Sequence, residues 1–133
     1  MSGKLWGIAG LCGVIGLSAC TETGLDDGVY DTVWSLASID GEAFRASATL
    51  NLAEDGRIFG NAPCNAYVGR SEGVWPALRF SSISVTRAAC PELSAEQGFL
   101  QAMAGVRSAE LTDQGMLLSG EGAPLLFRPR PAE

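Results

Sequence analysis

The sequence predicts a mainly β domain with a single packed α-helix, on three observations. Gly is abundant at 17 residues and aromatics are few at 8%, a balance that suits short strands and tight turns better than a helical bundle. From Thr32 onward, short apolar runs recur between turn dipeptides. Only one stretch, near residue 100, carries the 3.6-residue spacing of an amphipathic helix.

Taken in order, Val33 to Ile39 alternates in part and stops at Asp40-Gly41, a turn pair. Ala48 to Leu52 puts Leu50 and Leu52 on one face. Glu54-Asp55-Gly56 then turns the chain into Arg57-Ile58-Phe59, the clearest hairpin in the sequence. Tyr67-Val68 opens another strand. Trp75, Leu78 and Phe80 mark the next, with Ile83 and Val85 following at period two.

The helix is expected from Ala95 to Val106, with Ser94 as N-cap and Gln97 completing a capping box. Glu96 lies in its first turn, where the helix dipole favours an anion. Phe99, Leu100, Met103 and Val106 form one apolar stripe, as expected of a helix that covers its own sheet. Ala109 to Thr112, Met116 to Leu118 and Leu125 to Phe127 are the last strands, and Pro129 and Pro131 end the fold.

The first twenty residues are of another kind. Lys4 and the amino terminus precede an uncharged apolar run from Leu5 to Leu17, and small residues follow. That is the secretory pattern, and a run of 13 residues is too short to cross a bilayer core of roughly 30 Å as a helix. Leu17-Ser18-Ala19-Cys20 resembles the bacterial lipobox, in which the cysteine becomes the acylated first residue of the mature protein. The resemblance implies several acyl chains on Cys20 and stable anchoring, where one chain alone holds weakly. In that class an Asp after the cysteine commonly marks inner-membrane retention. Thr21 stands there, so the expected address is the periplasmic face of the outer membrane. The expected organisation is a leader over 1–19, the lipid-bearing Cys20 with a polar, acidic tether to residue 31, and a domain over 32–130.

Cys12 leaves with the leader and Cys20 is consumed by lipid, so Cys64 and Cys90 remain in a compartment where disulfides persist. A bridge between them closes a loop of roughly 25 residues, worth about 3.5 kcal/mol in the chain-entropy model. The competing reading is a reactive or metal-binding pair. The chain holds no histidine and no C-x-x-C, which leaves zinc and redox chemistry without their usual partners.

Charge excludes other classes. With Lys4 gone, eight arginines face fifteen acids, and the arginines are scattered singly from Arg45 to Arg130. No basic stripe is present for nucleic acid, and none for anionic headgroups by charge alone. No G-x-S-x-G, H-E-x-x-H or phosphate loop occurs. Asp26-Asp27 falls in the tether, and Glu54-Asp55-Gly56 lacks the spaced carboxylates of a calcium loop.

Five landmarks in order from Trp34 to Phe127 resemble the META, or HslJ-like, family. They are Trp34-Ser35-Leu36 with Gly41, the hairpin from Leu50 to Gly60, Cys64-Asn65-Ala66-Tyr67-Val68-Gly69, Thr86-Arg87-Ala88-Ala89-Cys90, and Glu96-Gln97-Gly98-Phe99-Leu100. Two positions depart from the family pattern: Pro63 where a Gly usually precedes the cysteine, and Ala88 for a typical Met. The resemblance implies a small antiparallel, barrel-like β fold with one packed helix, associated with the bacterial envelope and with stress or drug tolerance. It brings no catalytic mechanism, no cofactor and no metal.

Asn65, Tyr67, Thr86 and Arg87 are the candidate binding residues. Asn65 beside a turn is expected to bond its own backbone. Arg87 is expected to pair internally rather than to grip a carboxylate on a partner. Two function classes follow: a non-catalytic envelope module that binds a protein, expected to have a filled interior, and a barrel that takes a small ligand, expected to have an open apolar cavity. The first is favoured, because so few short strands enclose little spare volume. The lipobox reading has a direct test. Cys20→Ala is expected to leave an uncut precursor that no longer incorporates labelled fatty acid, and equal labelling of mutant and wild type would refute it.

Overall fold

The computed structural model describes residues 28–130. The expected leader over 1–19, the expected lipid attachment at Cys20, the expected tether as far as residue 27, and Pro131 lie outside them. Nine strands and one helix follow in the order β1 (Trp34–Ile39), β2 (Glu42–Ala43), β3 (Thr49–Leu52), β4 (Arg57–Asn61), β5 (Ala66–Glu72), β6 (Arg79–Val85), α1 (Leu93–Ala104), β7 (Val106–Thr112), β8 (Gly115–Gly120) and β9 (Leu125–Pro129). All pairings are antiparallel, in a curled half-barrel sheet of order β6-β5-β4-β3-β1-β9-β8-β7, with β2 paired to β1. The predicted fold class is the one observed.

Local chemistry explains the hairpins. Ile39 pairs with Glu42 across a two-residue loop. Both loop residues, Asp40 at φ 56° and Gly41 at φ 81°, take the left-handed conformation that matches strand twist in a tight hairpin. At the β3–β4 turn, Asp55 Oδ1 accepts the Arg57 N–H at 3.0 Å, so this acidic triplet acts as a turn. Gly60 sits where a Cβ would collide with the Thr49 carbonyl. That same carbonyl accepts the Tyr67 hydroxyl at 2.6 Å, and the close passage of β4 lets the bond form.

Three expectations are corrected. Trp75 and Leu78 are not in a strand but in the β5–β6 connection; Pro76 between them has no N–H for a ladder. Within β6, Phe80 and Ile83 both point inward although they are three residues apart. An extra residue, the bulge at Ser82 with φ 54°, restores the register. The helix begins at Leu93, preceded by Glu92, whose side chain makes no capping bond. Ser94 and Gln97 are exposed inside it and form no capping box. Pro91 stands just before the N-cap position, where its missing N–H interrupts no intrahelical bond. Gly105 ends the helix and packs against Gly122. Val106 is therefore the first residue of β7, although it is buried as the stripe predicts.

The packed body also starts earlier than the tether boundary. Residues 28–30 form a helical turn, Val29 is buried, and the Trp34 indole Nε1 donates to the Val29 carbonyl at 3.2 Å. Two adjacent apolar side chains, Val29 and Tyr30, among acidic neighbours give no periodic signal of this.

The core lies between the concave sheet face and α1. Leu50, Ile58, Met116, Leu118, Leu125 and Phe127 line the sheet side with no exposed surface, and Phe99 and Met103 meet them from the helix. Phe99 stands edge-on to Tyr67, with ring centroids 5.7 Å apart. Truncating Phe99 to Ala is expected to cost about 3–5 kcal/mol, read as a lower midpoint in denaturant unfolding. An unchanged transition would place the helix stripe outside the core.

Candidate functional site

The three most specific sequence landmarks meet at one place. The β4–β5 loop (62–65), the segment after β6 (86–90) and the first turn of α1 converge around Glu96, which is 3% exposed. Its Oε1 accepts the backbone N–H groups of Cys64 at 2.8 Å and Asn65 at 2.9 Å, and its Oε2 accepts the Asn65 Nδ2 at 2.7 Å. The other edge of the Asn65 amide faces the second segment. Its Nδ2 also donates to the Ala88 carbonyl at 3.1 Å, and its Oδ1 receives the Ala88 N–H at 2.6 Å and the Thr86 hydroxyl at 2.8 Å.

The Cys64–Cys90 disulfide runs alongside, with Cα atoms 5.8 Å apart and a separation of 26 positions in sequence. The expected bridge is present, and joined in this way neither cysteine offers a free thiolate to a metal. Two crosslinks, one covalent and one hydrogen-bonded, join the same loop to the same strand end. Among the described residues no group of three metal-ligating side chains is brought together.

The candidate binding residues separate into two kinds. The side chain of Asn65 spends its hydrogen-bonding capacity inside the protein, on residues 21 to 31 positions away in sequence, and not on its own local backbone as expected. Tyr67 is buried, donates to Thr49, and its hydroxyl is pushed up from its ordinary pKa by desolvation. It therefore stays a neutral donor. The Thr86 hydroxyl is committed to Asn65.

Arg87 is exposed, and among the described residues its side chain makes no hydrogen bond or ion pair, against the expected internal pairing. Thr86 and Ala88 on either side of it are held by Asn65, and the ion pairs among the described residues do not include Arg87.

Glu96 was legible only as a favourable first-turn anion. Its true position was implied by spacing: Glu96, Phe99 and Met103 fall at i, i+3 and i+7, on the buried stripe. A carboxylate on an apolar stripe requires partners, and the only amide-rich signature nearby is Cys64-Asn65.

Concave binding space lies on the outside. A shallow groove of about 580 Å³ runs between the β1–β2 hairpin and the β7–β8 turn, lined among others by Ala43, Asp113, Leu117, Leu126 and Arg128. Leu117 and Leu126 lie on the outer face, alternating with the buried Leu118 and Leu125.

The META domain matches residues 27–132 as a family pattern. Among solved structures, an NMR structure of a protein from Burkholderia xenovorans superposes with a TM-score of 0.63 at 23% identity, covering 89% of this chain and 97% of that one. A second NMR structure gives a TM-score of 0.61 at 19% identity, covering 77% of this chain and 92% of the other. Both likenesses concern the fold. No curated protein matches the chain closely enough to count as a relative.

The network around Glu96 makes a sharp prediction. Glu96→Gln would set an amide NH₂ against Asn65 Nδ2, and rotating the Asn65 amide only moves the conflict to the Ala88 N–H. The substitution is expected to cost about 1–3 kcal/mol, the range for leaving buried donors without acceptors. Urea unfolding of the disulfide-intact protein measures it, and an unchanged midpoint would show that the network adds nothing to stability.

Proposed function

Because the chain belongs to the META domain family, we propose that it is a non-catalytic cell-envelope lipoprotein domain, held by lipid on Cys20 at the periplasmic face of the outer membrane, that works by binding a protein partner in envelope-stress or drug tolerance. The observation that carries this reading is where the polar chemistry goes. The buried Glu96, the Asn65 amide and the Thr86 hydroxyl, which a catalytic site would aim at a substrate, are turned onto one another and onto backbone. The two cysteines of the domain are joined to each other. With no histidine in the chain, the commonest general base is missing as well.

The filled concave face argues against a ligand held inside the barrel. The side chains that line it, from Leu50 to Phe127, retain no exposed surface. What the domain offers to other molecules is therefore its outer surface.

The purified protein is expected to turn over no ester, peptide or glycan substrate. The deciding measurement is product formation, with the requirement that any activity vanish on replacing one Ser, Thr, Asp or Glu. Turnover with that dependence would overturn the non-catalytic reading.

A further inference from the structure

The outer face of β4 and β5 carries a quadrangle of exposed side chains. Arg57 stands directly opposite Arg70, and Phe59 directly opposite Val68. The Ser71 N–H donates to the Gly56 carbonyl at 2.7 Å, which makes 56 and 71 a hydrogen-bonded pair. Pairs 57/70 and 59/68 are then of the non-hydrogen-bonded kind, in which facing side chains come closest. Both arginines are exposed, and Phe59 and Val68 are 38% and 52% exposed. Val33, also exposed, extends the apolar row: it precedes Trp34, whose partner is Leu50, and Asn51 after Leu50 pairs with Phe59.

Like charges facing each other across a ladder are destabilising, and no ion pair relieves these two: the carboxylate of Asp55, two residues from Arg57, is engaged on the Arg57 backbone N–H. The Arg57 guanidinium lies 5.3 Å from the centre of the Phe59 ring, and Arg70 leans to the Asp55 carbonyl at 3.4 Å. The ion pairs among the described residues are Arg79–Glu72 and Arg107–Glu121, and neither includes Arg57 or Arg70. Without an ion pair, the two facing guanidinium groups keep donors that a carboxylate from outside can take.

We propose that this face docks an acidic segment of a partner protein, with a carboxylate between Arg57 and Arg70 and an apolar side chain on Phe59 and Val68. Along each strand the cationic and apolar positions are two residues apart, roughly 7 Å. The complementary ligand is thus an extended segment with an acid and an apolar residue at i and i+2, its side chains on one side. The inference deepens the protein-binding reading and rests on it. Exposed charge pairs of this kind give a weak, salt-sensitive contact, suited to a partner brought close by a shared membrane.

The test uses the full chain in nonionic detergent and a fluorescein-labelled peptide of alternating Glu and Leu, with Gln replacing Glu in the control. Anisotropy is expected to show binding of the Glu peptide that weakens about tenfold or more, one factor of ten being the loss of about 1.4 kcal/mol, in the Gln control and in Arg57→Ala/Arg70→Ala. Arg57→Glu supplies the decisive arm. It places opposite charges across the ladder, so its melting temperature is expected to equal or exceed that of wild type while peptide binding is lost.

Binding unaffected by Arg57→Glu, or absent from the folded wild type, overturns the proposal. So does arginine-dependent binding to phosphatidylglycerol vesicles with none to the peptide, which would make the face a lipid contact. Cleavage of the peptide, detected by mass, would instead sink the non-catalytic reading, and the two failures are told apart.

Discussion

A carboxylate buried beneath a sheet organises this protein. An ionisable group in that position must find hydrogen-bond donors or be excluded from the core. Glu96 finds three, two of them backbone N–H groups of the β4–β5 loop and one the Asn65 amide. Its place in the first turn of α1 adds the favourable end of the helix dipole. The consequence is geometric. The loop cannot move without stranding the carboxylate, and the helix cannot rotate without stranding the loop. Asn65 passes the constraint on, because its other edge grips Thr86 and Ala88. The disulfide then fixes loop and strand end to each other covalently. A sheet too small to bury a large core gains one defined helix position from a few polar atoms.

How much of this was legible in the sequence depended on whether the signal was local. The Asp40-Gly41 hairpin, the Glu54-Asp55-Gly56 turn and the alternating strands were readable, because turn conformation and period two are decided by adjacent residues. The disulfide was legible by elimination. The helix existed where expected, but its start was misplaced by two residues. Ser94 has the right chemistry for a cap, yet it lies inside a first turn anchored by Glu96. The β6 bulge was invisible: one extra residue at Ser82 leaves the composition of a strand unchanged and alters only its register.

The site was legible as a set of residues and not as an arrangement. Asn65, Tyr67 and Thr86 stood out as polar residues in strong landmarks, which is why they were candidates for binding. Their landmark status has a different physical origin. Each makes a bond that spans between 18 and 21 residues of sequence. Such bonds are as specific in residue type as catalytic contacts, since a donor or acceptor of the wrong kind leaves a buried group unpaired. A motif of polar residues therefore marks a demanding geometry without saying whether the demand comes from a substrate or from the fold. Here the hydrogen-bond accounting assigns it to the fold.

The same accounting, applied to the surface, isolates what the fold does not need. Arg79 pairs with Glu72 and Arg107 with Glu121, the two ion pairs among the described residues. Arg57 and Arg70 face each other instead, and no packing requirement explains either, because both side chains stand clear of the core. Inside, polar groups appear only where bonds to the chain itself are complete. On the outer face of β4 and β5, charge is retained against the local electrostatics and beside exposed apolar surface. Two facing cations beside exposed apolar surface suit a contact from outside the domain. The division between a self-satisfied interior and an unsatisfied outer face separates the residues that make this protein fold from those that give it a surface to offer.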